Sequence, residues 1–416
     1  MAFIGETRDS VFGQMFTELE VLVNDGSPYT DELDERALAR TAIASSTITA
    51  VWRRTLRTVR ILNSRGFSSS MATPPSYSRA ASPTSGALAA APAVSVIIPA
   101  YQTSALIGET LDSVFRQTFT DFEVVVVNDG SPDTEELERA LAPYRNRIVY
   151  ITQENGGPSR ARNTAIRHAR GEFVAVLDSD DLLMPTYLDE QMRRLADDPS
   201  LDLVYANGLI FGDSPLAGRT LMDASPSEGK VTFEQLIDTT CTVLTSCTVV
   251  RRQAVMDVGL FDERFWRSED FHLWARLAFH RYRMAYQRQP LVRHRRRPGS
   301  LSREKLPMTS AIIEVLQDLQ RILPLTAAQR VRVERQIARR RAEIALEEGR
   351  TLFFAGHYAG AAAALGRAAR CAPHWLTRAR LRMVYVGLRL MPRQLRRLYD
   401  ALRHSGPAAT ATHPTP

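Results

Sequence analysis

Short apolar runs alternate with amphipathic segments from Val94 onwards, and this alternation is the feature that most constrains the fold. The apolar runs predict strands, and the stretches between them have helical spacing. Strands that alternate with helices form a parallel sheet with helices on its faces. The predicted strands are Val94–Pro99, Phe122–Asn128, Ile148–Gln153, Phe173–Leu177 and Asp202–Ala206. We therefore expect a Rossmann-like α/β fold that binds ligands at the carboxyl ends of its strands.

An acidic cluster, Asp178-Ser179-Asp180-Asp181, directly follows the predicted strand Phe173–Leu177. Carboxylates this close repel one another, and burying them is costly unless a cation offsets their charge. Mg²⁺ or Mn²⁺ would do so, because these hard ions bind a few carboxylates and fill their other positions with water and phosphate oxygens. The cluster therefore indicates a metal and phosphate site. The competing interpretation is a turn that caps the next helix.

Polar residues also follow the other parallel strands. Asp129 could accept hydrogen bonds from a nucleotide base, and Arg162 could donate to a base carbonyl. Taken singly, Asp129 could belong to a simple turn and Arg162 could be a solvated helix residue. Because all the strand ends face one crevice, we favour a shared nucleotide site, with Asp178 or Asp180 reaching the ribose or the metal.

Six motifs in this part of the chain carry a family resemblance. In order, they are VSVIIPAY, VVVVNDGSPD, ENGGPSRARNTAI, GEFVAVLDSDD, VGLFDERF and SEDFHLWARL. Over about residues 94–300 the sequence resembles the family 2 glycosyltransferases of the GT-A fold, which has a mostly parallel central sheet flanked by helices. The resemblance implies a nucleoside-diphosphate sugar donor, commonly UDP-linked, and inversion at the anomeric carbon.

The resemblance also assigns roles to residues at the strand ends. Asp129 would contact the base with Arg162 in support, and Pro99 and Tyr101 would line the base pocket. Asp178 and Asp180 would form the DxD-like pair, with Asp180 as the ligand of Mg²⁺ or Mn²⁺.

Glu269 and Asp270 are the candidates for a general base. Transfer of a sugar to a hydroxyl needs a carboxylate that accepts the hydroxyl proton. The pair heads a helical apolar pattern, where the helix dipole helps to keep a carboxylate ionised. An acidic first turn of an ordinary helix is the competing interpretation, and the family resemblance favours catalysis instead. Asp270 is the preferred base, with Glu269 as the alternative or as a residue that orients the acceptor.

His294 lies in a basic run, Arg293-His294-Arg295-Arg296-Arg297. Some relatives place a histidine near the metal and diphosphate, so His294 is a candidate metal ligand, although a single histidine is more often structural. The arginines, together with Ser300-Leu301-Ser302, could form a mobile flap over the diphosphate. An ordinary solvated loop is the alternative.

Charge and composition limit the partners and the compartment. The net charge is +7, with the arginines concentrated in the C-terminal half. This favours anionic partners, and nucleic acid is disfavoured because no zinc-finger or aromatic RNA-binding pattern is present. No apolar run is long enough to span a bilayer and the N-terminus lacks a signal-peptide pattern, so we expect a cytoplasmic protein. Contact with the inner face of the membrane would fit the basic tail.

Five regions are predicted along the chain. Residues 1–38 repeat residues 107–141 without the central strand, and we interpret them as a truncated, degenerate duplicate. Residues 39–93 are a low-complexity, largely disordered linker, and Met71 within it could be the true start. Residues 94–304 form the GT-A domain. Residues 305–404 form a helical extension, in which residues 347–373 resemble one tetratricopeptide-type hairpin, and residues 405–416 form a disordered tail.

The preferred function is an inverting, metal-dependent glycosyltransferase that acts on a hydroxyl of a glycan or lipid-linked glycan in surface polysaccharide synthesis. Transfer to polyprenyl phosphate is one alternative, since that acceptor oxygen is already ionised and would not need Asp270. A catalytically silent nucleotide-sugar-binding scaffold is another, against which the intact Asp178, Asp180 and Asp270 count. The basic segment Trp375–Arg403 could lie on an anionic membrane or simply face solvent.

Overall fold

The computed structural model describes residues 91–224, 227, 231–297, 304–372, 375–390 and 392. The predicted duplicate at residues 1–38, nearly all of the 39–93 linker, Ser300-Leu301-Ser302 and the 405–416 tail lie outside these residues and stay predictions.

An eight-stranded sheet forms the centre of the described structure. Its strands are β1 Val94–Ala100, β2 Phe122–Asp129, β3 Val149–Gln153, β4 Phe173–Val176, β5 Leu182–Leu183, β6 Leu203–Gly212, β7 Thr248–Arg251 and β8 Met284–Arg296. They lie in the order β3-β2-β1-β4-β7-β6-β8-β5. All five predicted strands are present, and β6 is longer than expected.

The sheet is mixed, because a parallel half is joined to an antiparallel one. Strands β3, β2, β1 and β4 run parallel, and β7 pairs antiparallel with both β4 and β6. Strand β8 runs parallel to β6 and antiparallel to β5. The flap and loop predictions for the basic run are wrong for Arg293 to Arg296, which form the end of β8. The pairing of β8 with β6 and β5 outweighs the low strand preference of such a charged segment.

Helices cover both faces of this sheet. In β2, Val124 and Val126 face one apolar core while Val125 and Val127 face the other, so the run is apolar throughout. The helices of the domain are α1 Ile107–Phe115, α2 Thr134–Leu141, α3 Gly157–His168, α4 Tyr187–Asp197, α5 Leu221–Ala224, α6 Phe233–Ile237, α7 Arg252–Asp257 and α8 Glu269–Phe279. The first core includes α1, α2 and α4, and the second includes α3, α7 and α8.

Four further helices form the C-terminal extension: α9 Lys305–Ile322, α10 Ala327–Phe354, α11 Tyr358–Cys371 and α12 Trp375–Leu390. Helix α9 and the first half of α10 share an apolar core with α6 and α8 of the sheet domain. The second half of α10 packs with α11 and α12 in a separate core. A helical hairpin is therefore present where one was expected, and its kinship to tetratricopeptide repeats stays a prediction. Among the described helices, none combines the length and apolar character that a membrane span requires.

Candidate active site

The acidic cluster forms a turn at the end of β4, where its three carboxylates have different environments. Asp181 is fully buried and accepts hydrogen bonds from His294 Nδ1 at 3.0 Å and from the backbone N–H of Arg295 at 2.7 Å. It therefore fastens the end of β8 to the turn. The side chain of Asp178 is about one-third exposed (35%), so it is accessible to a ligand.

Arg162 connects this turn to Glu269, one of the two carboxylates predicted to act as the general base. From its buried position on α3 it donates from Nη2 to Asp178 Oδ1 at 2.7 Å and from Nη1 to Glu269 Oε1 at 2.6 Å. Burial acts to lower the pKa of Arg162, but the two carboxylates outweigh it and raise the pKa. The guanidinium thus stays charged and keeps the strand end and the start of α8 together.

A second connection runs through a short 3-10 helix, Thr245–Cys247. Thr245 Oγ1 donates to Asp270 Oδ2 at 2.7 Å, and Ser246 Oγ accepts from the backbone N–H of Asp178 at 3.1 Å. Adjacent residues therefore contact the predicted base and the acidic turn. Sequence reasoning missed both, because a Thr-Ser pair after a segment without a recognisable motif carries no signal of its own.

Glu269 and Asp270 have different surroundings. Glu269 is buried, and burial raises its pKa although the charge of Arg162 acts in the opposite direction. Asp270 is partly exposed. The residue before them, Ser268, has a left-handed backbone with φ of 58°, which is unusual for a residue with a side chain and typical of functional sites.

The predicted base-binding residues lie at the ends of β1 and β2. Asp129 is almost fully buried, and it accepts hydrogen bonds from Gln153 Nε2 at 2.6 Å and from the backbone N–H groups of Gly156 and Gly157 at 3.0 and 2.9 Å. Its carboxylate thus holds the loop that opens α3. Tyr101 is exposed and Pro99 is half-buried. Their contacts with a base stay predictions.

Trp266 is a further candidate residue of this site, and sequence reasoning missed it. Its indole is 54% exposed, and its ring packs against Gly157, where an added Cβ would lie 3.1 Å from the ring carbons. Ser159 Oγ anchors the same segment by donating to the carbonyl of Phe265 at 2.9 Å. The sequence did not indicate this residue, because its contact with Gly157 depends on how the segment before Ser268 packs against α3.

The basic end of β8 lies over the acidic turn. Arg297 Nε donates to Asp180 Oδ2 at 2.7 Å, and Arg295 Nε donates to the Asp180 carbonyl at 2.8 Å. Burial, followed by the charge of Asp181, nevertheless raises the pKa of Asp180. The contact with Arg297 thus lowers the pKa of Asp180 by less than burial and Asp181 raise it.

These residues fit a hard divalent cation. Among the described residues, Asp180 Oδ1 and Asp178 Oδ2 have no hydrogen-bond partner, so one oxygen of each carboxylate is available to a cation. His294 uses Nδ1 for Asp181, which leaves Nε2 available as a ligand atom.

A second group of potential ligands, Asp262, His272 and Asp318, lies at the junction of α8 and α9 with its ligand atoms within 4.8 Å of one another. Arg264 already binds both carboxylates, at 2.5 Å to Asp262 Oδ2 and 3.0 Å to Asp318 Oδ2, and Arg321 also binds Asp318. Guanidinium groups thus contact all four carboxylate oxygens of this group, which leaves none available to a metal ion. We therefore interpret this group as an ionic network that joins the extension to the domain.

The mixed sheet, with an acidic strand end tied to a carboxylate pair, defines the GT-A class of fold. The S. aureus TarS fragment 1–349 in complex with UDP-GlcNAc shares this fold, with a TM-score of 0.50 and 20% identity over 75% of this chain and 90% of that chain. The mannosyltransferase PcManGT of Pyrobaculum calidifontis, in complex with GDP-Man and Mn²⁺, is 19% identical over 76% of this chain and 86% of that chain, with a TM-score of 0.49.

Sequence comparison shows a similarity to one family over part of the chain. Residues 95–259 match the model of glycosyl transferase family 2. An uncharacterized glycosyltransferase of Rickettsia prowazekii is 31% identical over 44% of this chain and 58% of its own length, and the uncharacterized glycosyltransferase EpsJ of Bacillus subtilis is 40% identical over 27% and 33%. Residues 95–259 of the chain are therefore similar to family 2. The matched part spans between 27% and 58% of the lengths of five Rickettsia relatives.

Proposed function

We propose that this protein is an inverting, metal-dependent glycosyltransferase that moves a sugar from a nucleoside-diphosphate sugar to a hydroxyl of a glycan or lipid-linked glycan. The observation that carries the proposal is the double connection between the acidic turn and the carboxylate pair, through Arg162 on one side and Thr245-Ser246 on the other. This arrangement holds a diphosphate-binding edge and a proton acceptor in one rigid unit, as single displacement requires.

The donor would lie along the carboxyl ends of β1, β2 and β4. Its base would sit beside Tyr101 and the Asp129 turn, and its diphosphate would lie at Asp178 and Asp180. The loop after β1 is held to the β2 turn by a hydrogen bond from Gln102 N to Ser131 Oγ at 2.7 Å, which fixes the loop that carries Tyr101 to the turn that carries Asp129. We infer a UDP-linked donor from the family resemblance, in accord with the UDP-GlcNAc bound to TarS.

Charge on the departing diphosphate would be neutralised by Mg²⁺ or Mn²⁺ held by Asp180 and His294. Arg297 is placed to add to this neutralisation through its contact with Asp180.

Asp270 is the preferred general base. It is partly exposed and is oriented by Thr245, so an acceptor hydroxyl can approach it. Glu269 is committed to Arg162 and largely shielded from solvent, which suits a residue that positions its neighbours.

A panel of nucleotide sugars tests the proposal. We expect one donor to raise the melting temperature in the presence of Mn²⁺ and to be turned over with an acceptor, since a ligand that binds only the folded state stabilises it. Stabilisation by a donor without turnover would favour the silent scaffold instead, and no response to any donor would contradict the proposal.

The Asp270→Asn variant separates the two enzymatic alternatives. Loss of turnover with retained donor binding supports transfer to a hydroxyl, whereas full turnover would favour an acceptor that is already ionised, such as polyprenyl phosphate. Asp189→Asn is the matched control, because Asp189 is an exposed residue of α4.

A further inference from the structure

Helix α12 carries an exposed apolar stripe on the face opposite to its packed side. Met383, Val386 and Leu390 are 55%, 36% and 71% exposed. At about 100° per residue their side chains fall within roughly 60° of one another around the helix axis. Leu381 and Leu388, on the other side, are buried in the core shared with α11.

Positive charge flanks this stripe. The helix contains four arginines and no acidic residue in Trp375–Leu390. By the same helical geometry Arg380 lies on one side of the stripe and Arg382 and Arg389 lie on the other. Among the described residues none of the four forms an ion pair with a carboxylate, since Arg378 donates to the carbonyl of Ala372 and Arg389 lies over the Tyr385 ring.

We propose that α12 lies on an anionic lipid surface, with Met383, Val386 and Leu390 inserted at the boundary between headgroups and acyl chains. An apolar stripe bordered by arginines is the arrangement by which helices bind in the plane of a membrane. The arginines would pair with acidic headgroups, while their aliphatic stems extend the apolar contact. Nucleic acid would use the charge but would have no use for an exposed aliphatic stripe.

The proposal goes beyond transfer chemistry, because it says where the protein works. The extension shares an apolar core with α6 and α8 of the sheet domain, so a membrane contact at α12 would bring the domain to the lipid surface, where lipid-linked acceptors reside.

Vesicle co-sedimentation of the full chain tests the proposal. We expect binding to phosphatidylcholine vesicles that contain phosphatidylglycerol, and little binding to phosphatidylcholine alone. The triple variant Met383→Ser, Val386→Ser, Leu390→Ser should lower partitioning by at least about tenfold, because the inserted apolar area is lost while the charge is kept. The variant Arg380→Gln, Arg382→Gln, Arg389→Gln should lose the preference for phosphatidylglycerol.

Val331→Ser is the matched control, because Val331 is 55% exposed on α10, outside the stripe, and the variant should bind as the unmodified protein does. If the triple serine variant binds the vesicles as well as the unmodified protein does, the proposal that the apolar stripe inserts into the membrane is wrong. A lipid-free dimer that the serine variant breaks would instead assign the stripe to a second copy of the chain. Circular dichroism melting would verify that each variant folds. Because no sugar donor is present, the result is independent of the proposed transferase activity.

Discussion

Arg162 donates a hydrogen bond from Nη1 to Glu269 Oε1 at 2.6 Å, although 107 residues separate the two in the chain. Both side chains are buried, so this contact fixes the start of α8 against α3. The position of Asp270, the next residue, follows from it. The geometry of the proposed base therefore depends on a buried ion pair at the edge of the sheet.

Removing the guanidinium should destabilise the domain. Arg162→Gln leaves Asp178 and Glu269 without their shared cation, and breaking a buried ion pair typically costs about 3 to 5 kcal/mol in the free energy of unfolding. Chemical denaturation would measure it. Arg160→Gln, an exposed residue of the same helix, should change stability by less than about 0.5 kcal/mol. Equal stability of the two variants would show that the contacts of Arg162 with Asp178 and Glu269 do not stabilise the domain.

Thr245 should act on turnover more than on donor binding. Thr245→Val keeps the shape but removes the hydroxyl that orients Asp270. We expect kcat to fall by about tenfold or more while the KM for the donor stays nearly constant, because only the proton acceptor is misplaced. Steady-state kinetics would check this, with the exposed Thr351→Val on α10 as control. An increase in donor KM alone would contradict the assigned role.

Gly130 should not tolerate a side chain. Its φ is +62°, and an added Cβ would lie 2.6 Å from the backbone nitrogen of Asn155. Gly130→Ala should therefore destabilise the domain by more than about 1 kcal/mol and weaken nucleotide binding, since the turn that carries Asp129 must shift. Gly108→Ala, where the space is open, should be neutral or slightly stabilising. Thermal melts of the pair give the comparison.

His272 should make stability fall on acidification. Burial lowers its pKa from 6.5 to about 4, so the unfolded chain binds its proton first as the pH falls. The free energy of unfolding is therefore unaffected by this group above about pH 6.5 and falls as the pH is lowered towards 4. Between pH 7 and pH 5 the expected loss is about 2 kcal/mol.

The matched variant is His272→Gln, which retains a donor for Asp318 and does not titrate. Its free energy of unfolding should fall less than that of the unmodified protein over the same interval. An identical pH dependence in both proteins would refute this account.

Much of the domain was legible in the sequence. Strands β1 and β2 are buried on both faces, so their apolar runs are continuous and easily recognised. The polar residues that follow β1, β2 and β4 must lie at one edge of a parallel sheet, and Asp129 and the Asp178 turn do so. Strand β8 escaped recognition because Arg293 and His294 give it no strand pattern, and only its pairing with β6 and β5 makes it a strand.

The sequence by itself determined the α/β alternation, the acidic strand end and the two candidates for the general base, Glu269 and Asp270, because these depend on local pattern. The tertiary structure alone decided that Arg162 joins Asp178 to Glu269, that Thr245 holds Asp270, and that α12 leaves a second apolar face exposed. Such contacts join residues distant in the chain, and they arise from how helices pack on the sheet and on one another. No local propensity encodes that geometry.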